Sequence, residues 1–269
     1  MRGKKLDVLV LVILAVAGIV YSYLTKDLYI GRATIAGSVY IIPSIIYLSL
    51  RKKKNWPKVI VSTLFLGGIL GFLFEFFQEF NNSYSVISTL FSFKILGVLP
   101  IDNVIGHMLM TMLTIVFYEH FVDREVHHSI SKNFKFAILP ALFMFAVIIS
   151  LFFLRPESLI VRYPYFYMGV AAIIPTLFLG ITRPRFIKNM LETAVYFFFF
   201  YFAIELVAVI NNWWIYRGDN YTGWIDFFGV KFPFEELFFW MMFYAASLVA
   251  YYELFIDDHS KTVSVIKRR

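Results

Sequence analysis

The sequence predicts an all-α integral membrane protein of about eight transmembrane helices, arranged as two tandem, parallel four-helix repeats. Three observations predict it. The composition is too apolar for a soluble domain: of 269 residues, 60% are hydrophobic and 20% aromatic, and the mean hydropathy is +0.72. A soluble domain must supply polar surface, whereas lipid-facing helices need none. The apolar residues fall into eight separated runs of spanning length. A set of polar residues then recurs, in order, about 130 positions later.

A bilayer core takes about 20 apolar residues per helix. Runs of that kind cover 8–24, 33–50, 59–77, 104–122, 136–154, 165–182, 190–210 and 237–255. The first follows Arg2, Lys4 and Lys5 and is not followed by a small-residue cleavage site. It therefore reads as a retained first helix rather than a signal peptide.

The connections alternate in charge. One side carries Arg2, Lys4 and Lys5, then Arg51 with residues 52–54 and Lys58. Further along it carries Arg124, Lys132 and Lys135, then Arg183, Arg185 and Lys188, then Lys261, Lys267, Arg268 and Arg269. These are eighteen of the 25 Lys and Arg residues; the other side has Lys26, Arg32, Lys94, Arg155, Arg162, Arg217 and Lys231. The bias predicts a multi-pass cell-membrane protein with both termini in the cytoplasm. It also accounts for the formal net charge of +7, so no nucleic-acid partner is implied. With no cysteine, disulfides, thiolate catalysis and Cys-based metal sites are excluded.

The internal repeat is read from polar residues, because chance readily supplies apolar matches between membrane helices. Arg32 matches Arg162, and Ile41, Ile42, Pro43 and Ser44 match Ile173, Ile174, Pro175 and Thr176. Arg51 matches Arg183 and Lys58 matches Lys188. Glu75, Asn81 and Asn82 match Glu205, Asn211 and Asn212. Gly97, Val98 and Pro100 match Gly229, Val230 and Pro233, so that Asp102 and Asn103 fall on Glu235 and Glu236. Glu119 and Asp123 fall on Glu253 and Asp257. The expected units are residues 1–133 and 134–269. Four helices per unit give both copies one orientation, related by an axis along the membrane normal, and sites in such proteins lie at the repeat interface.

An ionisable side chain at the bilayer centre costs about 2.5–3.5 kcal/mol on insertion scales, so it usually faces a partner or a cavity. Glu75 and Glu205 sit late in the third and seventh runs, with Glu79 one turn beyond Glu75. Glu235 and Glu236 open the eighth run after Pro233 and Phe234. Proline followed by acidic residues is also an ordinary helix start. Asp102 takes the matching place in the first copy. Four acidic positions from four helices thus converge on one membrane edge, where an apolar setting lets some carboxyls keep a proton. Trp213, Trp214, Tyr216, Tyr221 and Trp224 crowd the same edge. They read either as an interfacial belt or as cavity walls whose ring faces stabilise a cation. Asn211 and Asn212, like Asn81 and Asn82, end helices or bond the carboxylates.

Other chemistries find little support. His120, His127 and His128 lie near Glu119 and Asp123, but in a charged connection, and the second copy offers only His259. Five histidines are too few for the clustered boxes of membrane di-iron enzymes, so no metal is expected. No nucleotide loop, hydrolase elbow or Asp-rich diphosphate motif occurs, and no cofactor is implied. Gly67, Gly68 and Gly71 read as helix-packing residues.

The stretch Trp214, Ile215, Tyr216, then Thr222, Gly223, Trp224, then Gly229, Val230, then Pro233 through Phe239 resembles the lycopene cyclase domain. That family comprises membrane-embedded carotenoid cyclases found as bacterial heterodimers and as archaeal and fungal fusions. Its hallmark is a Pro-x-Glu-Glu helix start followed by aromatics, and its duplicated helical unit fits the repeat. The first copy departs from it, with Pro100, Ile101, Asp102 and Asn103 at that place and no Trp pair. The resemblance implies acid-catalysed cyclisation of a carotenoid end group without net redox change. It implies Glu235 and Glu236 as acid and base, with Glu205, Glu75 and Asp102 tuning or relaying the proton. Trp213, Trp214, Tyr216, Asn212, Phe238 and Phe239 would bind an isoprenoid drawn from the bilayer. Two alternatives stand beside it: a transport or non-catalytic protein whose carboxylates relay a cation, and another isoprenoid-modifying enzyme such as a hydratase.

Overall fold

The computed structural model describes residues 2–25, 32–51, 55–123 and 129–258. Among them run eight long helices: α1 (Arg2–Leu24), α2 (Arg32–Arg51), α3 (Trp56–Phe80), α4 (Ile101–Asp123), α5 (Lys135–Leu154), α6 (Pro164–Thr182), α7 (Arg185–Ile210) and α8 (Glu236–Ile256). Seven of them, α1 and α3 to α8, are long and apolar enough to cross a bilayer. The chain is a multi-pass integral membrane protein. His127, His128, His259, Lys26, Arg124, Lys261, Lys267, Arg268 and Arg269, like residues 52–54, lie outside the described residues.

Burial sorts the helices. α3, α4 and α8 are mostly enclosed by the protein, α7 about half, and α1, α5 and α6 mostly face outward. The outward faces carry residues such as Phe143, Phe153 and Leu154, which suit lipid and need no partner. The inner helices approach closely because glycine permits it. A Cβ on Gly67 of α3 would sit 2.6 Å from the Met108 Cα of α4, and one on Gly169 of α6 would enter the Phe239 ring of α8. Both α3 and α8 widen into π-helical turns, at Thr63–Leu70 and Glu236–Phe243.

One membrane face is built from short strands that hydropathy alone does not announce. β1 (Tyr84–Val86) follows α3; β2 (Lys94–Ile95) and β3 (Leu99–Pro100) form a hairpin before α4. β4 (Trp214–Tyr216) follows α7; β5 (Trp224–Phe227) and β6 (Val230–Pro233) form a hairpin before α8. β1 pairs antiparallel with β4, Ser85 opposite Ile215. The β5–β6 turn places Phe228 and Gly229 at φ +51° and +87°, as a two-residue turn of that hand requires. Asn81 and Asn211 close α3 and α7 at φ −85° and −87°. Asn82 and Asn212 follow in the left-handed region at +54° and +52°, which asparagine tolerates better than most residues. These asparagines therefore end helices. The side chain of Asn81 bonds backbone at Phe77, Leu159 and Val161 rather than a carboxylate.

The opposite, basic face holds a buried charge cluster. Lys58 of α3 is 1% exposed and pairs with Glu119 of α4 at 2.9 Å and with Asp257, just past α8. The Tyr252 hydroxyl donates to Glu119, and the Tyr118 hydroxyl donates to Glu253 at 2.6 Å. Carboxylate oxygens of Asp123, Glu253 and Asp257 gather within 4.8 Å of one another. Nearby, Asp7 accepts from Tyr47 and Arg51 and lies 2.9 Å from the His120 ring. Lys188, the sequence counterpart of Lys58, is instead exposed beside Glu192.

Candidate functional site

Beneath the strands, α2, α3, α4, α6, α7 and α8 border a mostly apolar cavity of about 170 Å³ lined by two sets of polar groups. The first set is centred on Glu75 of α3. Its Oε1 lies 2.6 Å from His107 Nε2 of α4. Its Oε2 accepts from Asn103 Nδ2 at 2.8 Å and from the Tyr84 hydroxyl of β1. The other ring nitrogen of His107 is 3.1 Å from the Tyr244 hydroxyl of α8. Every oxygen of this 4%-exposed carboxylate is thus satisfied inside the protein, as a buried charge demands.

The second set is centred on Glu236, in the first turn of α8, which accepts from the Tyr165 hydroxyl of α6. Beside it, Glu205 of α7 accepts at Oε1 from the Tyr216 hydroxyl at 2.7 Å and from Trp214 Nε1 at 3.2 Å, both on β4. Both carboxyls are buried, and the second oxygen of Glu205 has no hydrogen-bond partner among the described residues. Burial, with the Glu75 and Glu79 carboxylates nearby, pushes the Tyr84 hydroxyl well above the ordinary phenol range. Burial and Glu205 do the same for Tyr216. Both phenols therefore stay protonated and act as donors.

Asp102 and Glu235, though buried, hold loops. Asp102 accepts from the backbone N–H of Leu90 and Phe91 at 2.7 and 3.1 Å. Glu235 accepts from the Thr222 N–H at 2.6 Å. Asp102 borders the cavity together with Asn103, whereas at the start of α8 Glu236 borders it and Glu235 does not. The acidic pair that opens α8 thus divides its labour: one carboxylate anchors the preceding loop and the other faces the cavity.

Trp213, Trp214 and Tyr216 line the cavity, as does Trp240 of α8. Phe239 lines a second, adjoining cavity. Phe238 packs on Phe234 and Phe243, and Asn212 occupies its turn; neither borders the first cavity. The reading from sequence missed His107, Tyr165 and Tyr244. The available signal for His107 was a histidine in the middle of an apolar run, one turn past Asn103 on the same helix face.

Several residues about 130 positions apart lie close together. Ser85 pairs with Ile215, the His107 and Trp240 rings lie 5.1 Å apart, and the Thr111 hydroxyl is 3.4 Å from that of Tyr244. Comparison with family models, with curated proteins and with solved structures found no match.

Proposed function

We propose that this protein is a membrane-embedded isoprenoid cyclase of the lycopene type. It would be built as a tandem duplication of residues 1–133 and 134–269, with both termini in the cytoplasm. The observation that carries the reading is one mostly apolar, ring-walled cavity bordered both by Glu236 and by the His-backed carboxylate of Glu75. Glu236, with Glu205 beside it, gives a proton to a terminal carbon–carbon double bond, leaving a tertiary cation. The neighbouring double bond attacks, forming the ring bond and moving the cation into the ring. Glu75, backed by His107, takes the adjacent C–H proton, and a ring double bond results. Atoms and electrons balance without a cofactor, and the proton returns to the acid pair through the cavity groups. The faces of Trp213, Trp214 and Trp240 stabilise the cation, and exclusion of water prevents its capture. The apolar substrate enters from the bilayer.

The test is expression in a lycopene-producing host with analysis of the pigments. Cyclic products of unchanged mass are expected. Unaltered lycopene beside correctly inserted protein would overturn the reading.

A specific observation favours a second reading, proton transfer across the protein. His107, Thr111, Thr114 and Tyr118 form a buried polar stripe down one face of α4, running from the Glu75 site towards Glu253. Proteoliposomes loaded with a pH dye decide it, because an enzyme alone leaves an imposed gradient intact.

A further inference from the structure

A second cavity of about 140 Å³ adjoins the first, and His107 and Trp240 border both. Its walls come from α3, α5, α6 and α8. No carboxylate, lysine or arginine lines it, whereas the first cavity holds the acids. It opens sideways: Met144 of α5 and Ala171 of α6 both border it and are exposed on the outer, lipid-facing surface. The two chambers are also counterparts. Phe74, Met168 and Ala171 of the second lie 130 positions from Ile204, Ser38 and Ile41 of the first. The wall between them consists of side-chain rings, with Trp240 packed on His107 and on Tyr244 at 5.1 and 4.2 Å.

We propose that the second chamber holds the unreacted tail of the same linear isoprenoid whose terminal double bond lies at Glu236. This rests on the cyclase reading and extends it, since it makes the substrate a long chain rather than a short prenyl unit. A chain reaching from the acids past Trp240 finds apolar walls along its whole length and leaves towards lipid between α5 and α6. Such a path discriminates by length: the acids recognise the end, and the second chamber binds what lies behind it. Because the tail comes from lipid rather than water, selection there rests on how closely it packs against the chamber walls.

The chain has no cysteine, so Ala172→Cys places a single thiol in the second chamber and Ile204→Cys one in the first. The purified full chain is treated with N-ethylmaleimide, with and without lycopene, geraniol or phosphatidylcholine. At ten times its Kd, lycopene should slow labelling of both thiols about tenfold, by occupancy. Geraniol, too short to pass Trp240, should protect only Ile204→Cys. Protection of Ile204→Cys alone by lycopene would overturn the tail chamber and leave the cyclase reading standing. Protection of neither thiol would remove the substrate reading itself. Protection of Ala172→Cys by phosphatidylcholine alone would make the chamber a lipid-chain site and overturn the proposal. Met168→Cys reads the same chamber if Ala172→Cys fails to elute as folded protein.

Discussion

His107 and Glu75 are joined, Nε2 to Oε1, at 2.6 Å across the interface of α4 and α3, and the far side of the same imidazole faces the Tyr244 hydroxyl of α8. One ring therefore fixes the carboxylate on α3 and reaches a phenol on α8. Replacing it with glutamine keeps a polar group at the site but removes the proton acceptor. His107→Gln should lower product formation by about 10²–10⁴-fold, the usual worth of a general acid–base group. Membrane expression should stay near normal. Pigment yield per amount of inserted protein measures this, and full activity would exclude His107 from the proton path.

The two adjacent glutamates at the start of α8 should separate cleanly. Glu236 faces the cavity and Tyr165, whereas Glu235 accepts from a backbone N–H. A glutamine oxygen can still accept that bond but cannot supply a proton. Glu236→Gln should abolish turnover, with a loss of about 10²–10⁴-fold, while Glu235→Gln retains it. Equal losses in both variants would return the pair to a shared structural role.

Tyr165→Phe removes the one phenol donor that Glu236 has from α6. A hydrogen bond to a charged group is worth about 1.5–3 kcal/mol, or roughly 10–150-fold in rate if the bond acts mainly in the transition state. Initial rates across a range of substrate concentrations would show the loss in kcat rather than KM. A change confined to KM would make Tyr165 a binding residue.

Lys58 should matter for stability rather than turnover. It is the ammonium between Glu119 and Asp257, both buried. Lys58→Met leaves two carboxylates without their cation, a change that costs about 3–5 kcal/mol when one partner of a buried pair is removed. Thermal unfolding in detergent should shift down markedly. A variant that also carries Glu119→Gln and Asp257→Asn should recover part of the loss. An unchanged melting curve for Lys58→Met would show the cluster to be energetically idle.

Reporter fusions can settle the orientation. A fusion in the Arg217–Gly218 turn between β4 and β5 should report the side opposite to fusions at either terminus. A shared side would break the eight-helix arrangement inferred from the basic connections.

Hydropathy and charge made the helices legible, because spanning length and loop charge are one-dimensional properties. Glu75, Glu205 and Glu236 were legible for a related reason: a carboxylate in an apolar run stands out, and here each has a counterpart. His107 was not legible by that route, since its counterpart is Trp240 and polar matching passes over such a pair. The strands escaped because a strand of two to four residues has no measurable period. The different duties of Asp102 and Asn103, or of Glu235 and Glu236, depend on which way a helix's first turn is rotated. That rotation is set by the loop each anchor holds, Leu90 and Phe91 in one case and Thr222 in the other. Spacing alone does not encode it.

The pairing of β1 with β4 bears on how far the molecule can move. At one membrane face the segments before and after residue 133 are stitched by that ladder and by the Ile87 and Arg217 N–H groups, which bond to Trp213 and Ser83 carbonyls at 2.8 and 2.7 Å. At the other face Lys58 grips Asp257, and Tyr252 grips Glu119. A transporter that rocks its halves must open one face while closing the other, and here either stroke would tear a seam. The frame is pinned at top and bottom like a bolted press. Such a frame would suit the proposed cyclase, a vessel that holds its contents still while protons change places.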